Sequence, residues 1–287
     1  MSKSNIVFVI TMAIATASFA VARQQAFDHN GREYMQKAEL NNKVTDPNNI
    51  SITVVYDNNP YEAGLETAWG FSCVITGTDK VILFDTGGDG PLLLENMSKK
   101  GIEVNSIQIV VLSHIHGDHT GGVEMFLKKN SKVIVYLPQS FSAKFKEKVS
   151  SLGAKIVEVS KPTEICTGVY STGQMGALIK EQGLVIRTEK GLVVITGCAH
   201  PGIVKMLQRA KALFDEPVLL AMGGFHLEWV TKNKIENIIK AFGEMDVKYA
   251  GPCHCSGDKA RHLFARYFGE GYINIGVGRI VKIKDLP

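Results

Sequence analysis

An α/β fold of two mixed β-sheets packed face to face, with helices on the outer faces, is the architecture this sequence predicts. Three observations predict it. Strand-like runs followed by amphipathic helical runs recur in two similar halves of the chain. The chain has 287 residues, 45% of them hydrophobic, which suffices for one large domain with a sizeable core. Apolar runs in both halves also end in turns that carry histidine, at residues 113–122 (SHIHGDHTGG) and again at His200, His226 and His254.

Near the start, Lys3 precedes an apolar run over residues 6–17, and small residues follow up to Ala20, Val21 and Ala22. This is the pattern of a secretory signal, so residues 1–22 are expected to be removed and the protein exported to a periplasm or the medium. The run falls short of the roughly 20 apolar residues of a membrane span, although reading it on to Ala22 leaves an uncleaved anchor as the alternative. Residues 23–49 are polar and aperiodic, and they read as a leader or loosely attached segment ahead of a domain over 50–287.

Alternating β-branched residues make 50–56 (ISITVVY) a strand, and 71–76 with 80–85 form a hairpin around Gly77, Thr78 and Asp79. Between them the loop 58–70, with Pro60, Gly64 and Trp69, either overhangs a site or covers a sheet edge. Pro91 and Gly101 bracket a helix over 91–100, in the usual asymmetry of helix ends. A strand over 107–112 leads into the histidine-rich turn. A helix over 123–129, a strand over 132–137, a helix over 139–152 with Phe141, Phe145 and Val149 on one face, and a strand over 154–159 follow. The second half opens with antiparallel strands over 164–170, 183–188 and 192–196, the last pair turning at Glu189, Lys190 and Gly191. Helices over 203–214, 232–242 and 258–268 then alternate with strands over 218–222 and 247–250, and 272–275 with 280–283 closes the chain.

Residues 113–122 hold the densest chemistry. His114, His116, Asp118 and His119 lie within six residues directly after an apolar strand, which gathers three imidazoles and a carboxylate at its carboxyl end. These are nitrogen and oxygen ligands of zinc, iron and manganese, and a loop after a buried strand can aim several at one point while leaving a position open to water. Gly117, Gly121 and Gly122 supply the tight backbone that such a loop needs. A lone histidine after a strand is ordinarily a satisfied polar group. Here His200, His226 and His254 each follow an apolar strand through a Gly- or Pro-containing turn, with only His29 and His262 elsewhere, and together they point to a shared centre.

The H-x-H-x-D-H pattern, preceded by residues 81–87 (VILFDTG), resembles the metallo-β-lactamase superfamily of metal-dependent hydrolases over about residue 50 to the end of the chain. Segments 196–203 (TGCAHPGI), 223–227 (GGFHL) and 252–257 (PCHCSG) resemble one branch of it, named after an archaeal pterin-pathway synthase. The resemblance implies a four-layer αβ/βα sandwich with metal in a cleft along one edge of the sheets. It implies that His114 and His116 bind a first ion, Asp118 and His119 a second, and that His254 is the last ligand. Many members carry a further histidine and later a bridging aspartate, where this chain offers 196–200 (TGCAH) and no aspartate. His200 stands in for the first, and Cys198 occupies the place of the bridging residue. Without a bridging carboxylate the centre is expected to hold one ion firmly or two unequally. Cys198 and His226 are therefore weaker candidates, His226 as ligand or substrate contact. Asp85 either orients a ligand imidazole from behind or caps the turn before Gly87 and Gly88. Asp118 either coordinates metal or takes a proton from metal-bound water, whose pKa zinc lowers toward 7.

Zinc is the expected ion, one or two per chain, with iron or manganese as alternatives. The formal charge of +4 is spread without a basic block, so it favours neither nucleic acid nor a membrane surface as a partner, and a small-molecule substrate is expected. The five cysteines cannot all pair and sit in or beside apolar segments; buried thiols are expected, with a single bridge permitted in an exported protein. Cys253 and Cys255 flank His254 and would face away from it in an extended segment. The expected function is a metal-dependent hydrolase using metal-bound hydroxide on an ester, phosphoester or amide-type bond. A transferase like the branch's synthase and a non-catalytic metal-dependent binding protein are the alternatives. Specificity is expected from the loops 58–70 and 162–182.

Overall fold

Side chains on a strand alternate between its two faces, and here each early strand divides its apolar residues between two cores. In β1 (Ser51–Asp57), β2 (Phe71–Thr76), β3 (Ile82–Phe84) and β4 (Ile109–Val111), residues such as Phe71, Ile75, Phe84 and Val111 enter a core shared with a second sheet. Val74, Leu83 and Val110 face the other way, against Leu93, Met97 and Phe126 of covering helices. The computed structural model describes residues 43–287, so the expected signal and most of the expected leader lie outside the described residues.

With β5 (Ile134–Pro138), β6 (Lys155–Val159) and β13 (Ile280–Lys282), the first sheet runs β13-β1-β2-β3-β4-β5-β6. It is antiparallel as far as β3 and parallel from β3 to β6. The second sheet contains β7 (Thr163–Cys166), β8 (Val169–Ser171), β9 (Leu184–Thr188), β10 (Gly191–Thr196), β11 (Val218–Gly224) and β12 (Tyr249–Cys253), in the order β12-β11-β10-β9-β8-β7. Its strands β10, β11 and β12 are parallel and the others antiparallel. Helices α1 (Gly90–Lys99), α2 (Gly117–Thr120), α3 (Val123–Lys129) and α4 (Ala143–Ser151) belong to the first half. Helices α5 (Ile203–Phe214), α6 (Lys232–Glu244) and α7 (Gly257–Phe268) cover the second sheet. Two mixed sheets flanked by helices are thus the observed architecture, as the sequence predicts. Among the described residues no helix is long and apolar enough to cross a membrane.

Local departures from the expected elements have identifiable causes. The single strand expected over 164–170 is two strands, because Gly168 takes a left-handed φ of 71° and turns the chain between them. Residues 272–275 form no strand and pair with β12 at a single bridge, between Ala250 and Tyr272. The helix expected over 139–152 starts at Ala143, where the Ser142 hydroxyl accepts from the Phe145 amide. Thr45, within the segment expected to be loose, pairs with Thr188, and its hydroxyl donates to the Arg187 carbonyl. The five cysteines are free thiols.

Ile195 is fully buried on β10 in the core between the sheets, so truncating it removes apolar contact and leaves a cavity that its neighbours refill only in part. Ile195→Ala is expected to lower unfolding stability by about 2–5 kcal/mol in urea titrations.

Candidate metal centre

Five strands deliver the candidate residues from their carboxyl ends. Asp85 follows β3, His114 follows β4, Cys198 follows β10, His226 follows β11 and His254 follows β12. Strands β3 and β4 are parallel, as are β10, β11 and β12, so each sheet presents several chain ends at one edge. Gln182 ties these edges together, its amide nitrogen donating to the Ser113 carbonyl and its side chain to the Leu112 carbonyl.

The carboxylate of Asp85 organises the first half of the site. It accepts from the Ser113 amide at 2.6 Å, the Ser113 hydroxyl at 2.7 Å and Nδ1 of His119 at 2.7 Å. The Ser113 hydroxyl, having given its proton to Asp85, is left to accept from His114 Nδ1 at 2.9 Å. Because a carboxylate only accepts, these bonds place a proton of His119 and of His114 on Nδ1 and turn each Nε2 toward the cleft, against Cys198 Sγ and His116 Nδ1 respectively. Asp85 thus binds the back of the His119 imidazole and the Ser113 segment rather than capping the following turn. A side chain on Gly197 would sit 2.1 Å from the Ser113 hydroxyl, so only glycine lets the second sheet close on this network.

The nitrogens so freed converge. Ligand atoms of His114, His116 and His200 lie within 4.8 Å of one another, and so do those of Asp118, His119, Cys198 and His254. A further grouping of Cys198, His200 and His226 satisfies the same distance, which places Cys198 and His200 between the groups. His114 Nε2 is 3.1 Å from His116 Nδ1, close to the edge of about 3.3 Å in a tetrahedron with zinc-to-nitrogen bonds near 2.05 Å. Nε2 of His200 and Nε2 of His254 are buried with no hydrogen-bond partner. Orphaned lone pairs of this kind are costly, and a cation between them removes the cost. The residues therefore fit a divalent metal, with an all-nitrogen group beside a mixed oxygen, nitrogen and sulfur group.

Protonation states of His114 and His200 agree with that fit. Burial, and then the neighbouring rings of His119, His200 and His116, holds the His114 pKa well below the ordinary range. Burial also lowers His200 to about 4, helped by His226 and His116. Both are neutral imidazoles near pH 7, the ligating form. Burial works against a charge on His119, but the Asp85 carboxylate outweighs it and raises its pKa. Burial likewise opposes ionisation of Asp118, yet the neighbouring His254 and His119 imidazoles keep its pKa below the usual carboxylate range.

Turns from the second sheet are held by residues that their own sequence surroundings did not mark. Glu181 accepts from the amides of Cys198, Ala199 and His200 at 2.8–2.9 Å, and its burial raises its pKa to about 7. Asn58 takes the Nδ1 proton of His254 at 3.0 Å, leaving Nε2 bare. Cys255 corrects the sequence-based picture. His254 begins a short 3₁₀ turn with φ of 48° rather than an extended segment, so Cys255 faces Cys198 and His226 beside the centre while Cys253 faces Asp57. Asp85, Ala199, His226 and His254 are all left-handed without being glycine, and such strain collects where a site over-determines its backbone. Asn58 and Glu181 were legible only as polar residues in loops, with no spacing to link them to the histidines.

Residues 70–204 match the family model described as metallo-beta-lactamase superfamily. The chain is 31% identical over 284 residues to the 7,8-dihydropterin-6-methyl-4-(beta-D-ribofuranosyl)-aminobenzene-5'-phosphate synthase of Methanocaldococcus jannaschii, covering 82% of this chain and 97% of that protein. Among solved structures it resembles Tm1679, described as a metal-dependent hydrolase of the beta-lactamase superfamily, at 30% identity and a TM-score of 0.68 over 81% of this chain and 98% of that one. The metallo-beta-lactamase fold protein YhfI from Bacillus subtilis shares the fold at 15% identity and a TM-score of 0.61, over 81% of this chain and 99% of that one.

Asp85→Asn tests the network. An asparagine amide turned toward His119 donates where the carboxylate accepts, which drives the imidazole proton to Nε2 and removes the lone pair from the cleft. The variant is expected to fold, by circular dichroism, and to bind zinc about 10- to 100-fold more weakly in chelator competition.

Proposed function

This chain belongs to the metallo-β-lactamase superfamily, and from that premise we propose that it is a metal-dependent hydrolase of a small-molecule ester, phosphoester or amide-type bond. The observation that carries the proposal is the convergence of two ligand groups, His114, His116 and His200 beside Asp118, His119, Cys198 and His254, with bare buried Nε2 atoms aimed between them. Zinc is the preferred ion, and when bound it supplies Lewis acidity and brings the pKa of water near neutrality. The likeness to a protein described as a metal-dependent hydrolase supports this reading over simple binding.

The chain's own residues divide the work. The neutral rings of His114 and His200 ligate without first losing a proton. Asp85 and Asn58 fix ring orientation from behind. Asp118, with its side chain 21% exposed and its Oδ2 3.2 Å from His254 Nε2, is the member of its group that faces the open side, where it can ligate or accept a proton at neutral pH. Cys198 offers a sulfur donor where a bridging carboxylate would stand, with its Sγ 3.2 Å from His119 Nε2.

A transferase is the second reading, favoured by the 31% identity to a synthase. The two differ in their use of water. Incorporation of one oxygen from ¹⁸O-labelled water into a cleaved product supports hydrolysis, whereas a condensation product free of label supports transfer. Loss of both outcomes across a broad substrate panel, with retained ligand binding, would leave a binding protein.

Site variants are expected to separate ligation from proton handling. His116→Ala should lose most bound metal, by elemental analysis, together with activity. Asp118→Asn should keep the ion at the all-histidine group while turnover falls about 100-fold or more. Cys198→Ser should lower metal content toward roughly one ion per chain if the thiolate holds the second. Full metal content and full activity in both His116→Ala and Asp118→Asn would overturn the site. Export is proposed on the pattern of residues 1–22, and mass spectrometry of protein from its native host is expected to find a mature start near Arg23.

A further inference from the structure

Loop 58–70 is pinned to the candidate centre at both ends. At its start the Asn58 amide bonds the ring of His254. At its end the ring of Trp69 lies 4.8 Å from the His254 ring, tilted by 56°. The adjoining backbone is held close: a side chain on Gly70 would lie 2.4 Å from the Asp118 carbonyl, and one on Gly88 would lie 3.2 Å from the Trp69 carbonyl. The backbone flanking Trp69 is therefore packed against the Asp118 segment and its ring lies against His254, yet the residue remains 49% exposed. A half-exposed indole against the ring of a candidate ligand offers a flat apolar face at the centre.

Other exposed apolar side chains lie along the same edge. Ile115, between His114 and His116, is 38% exposed, and Trp229, three residues beyond His226, is 90% exposed. The turn carrying Trp229 is anchored to the His254 segment, since the amides of Leu227 and Glu228 both donate to the Cys255 carbonyl. Exposed apolar side chains thus lie on two of the turns that carry candidate ligands and on loop 58–70.

We propose that Trp69 is a specificity-determining residue whose exposed face stacks on a planar aromatic ring of the substrate while the reacting group sits among Asp118, His119, Cys198 and His254. The inference rests on the metal-centre reading above and not on which reaction follows. Aliphatic substrates of equal reactivity would fill the same centre without using the indole face.

The test reads binding and needs no turnover. Zinc-loaded protein is titrated with 4-nitrobenzohydroxamate and with acetohydroxamate, which share a metal-chelating head and differ in the aromatic ring. The preference for the aryl probe over the methyl probe is expected to fall about tenfold in Trp69→Leu, which keeps apolar bulk without a flat aromatic face, and to be largely retained in Trp69→Phe. The chain contains two tryptophans, so Trp229→Phe leaves Trp69 as the sole tryptophan, read by exciting at the red edge where tyrosine does not absorb. The nitroaryl probe is expected to quench it saturably, and acetohydroxamate is not. An unchanged preference in Trp69→Leu with full metal content, or quenching that rises linearly without saturation, would overturn the proposal. Saturable quenching without hydrolysis of any substrate would sink the hydrolase reading and leave this one standing; hydrolysis indifferent to aromatic rings, without quenching, would do the reverse.

Discussion

The Asp85 carboxylate is the constraint on which the rest of the site depends. Buried completely, it has no water to answer it, and its three acceptor bonds run to the Ser113 amide, the Ser113 hydroxyl and His119 Nδ1. An acceptor-only group in that position sets the tautomer of His119 directly and that of His114 through the hydroxyl it polarises. Two rings from different ligand groups are thus oriented by one residue that reaches neither cleft. The cost of burying the charge is offset by those bonds, and the surrounding backbone is shaped to make them, with Asp85 itself at φ of 56° and Gly197 admitted at close range from the other sheet.

The second sheet solves the same problem with different groups. Its three parallel strands end in turns that carry Cys198, His226 and His254, and each turn bends through a left-handed non-glycine residue, Ala199, His226 or His254. Glu181 stabilises the first turn by collecting three successive amides, which otherwise would be buried donors without partners. Asn58 crosses from the first sheet to fix His254. In both halves the back nitrogens of His114, His119 and His254 are bonded, which turns their Nε2 atoms toward the cleft and suits it to a cation.

Loop 58–70 shows how one segment can serve fold and site together. Its middle runs along the sheet edge, with Pro60 bridged to Val277 and the Glu62 amide bonded to the Val277 carbonyl. Its ends meet the centre through Asn58 and Trp69. The two readings of this loop available from sequence, overhanging a site or covering an edge, are both realised.

The sequence by itself determined the architecture and the core of the candidate ligand set, because both are written in short-range patterns. Period-two alternation in strands such as residues 71–76 fixes which side chains enter which core. The spacing of His114, His116, Asp118 and His119 on one tight turn fixes their proximity whatever the rest of the chain does. Tertiary structure decided what depends on contacts between distant segments. Asn58 lies 196 residues from His254, and no local signal marks it as that ring's partner. Glu181 sits in a loop whose composition says nothing of the three amides it receives. Cys255 was misplaced because the left-handed φ of His254 turns it toward Cys198, and a backbone bend enforced by packing leaves no trace in residue alternation. Hydrogen-bond partners and backbone hand are set by which strand ends the two sheets bring together, and that meeting exists only once the sheets have packed.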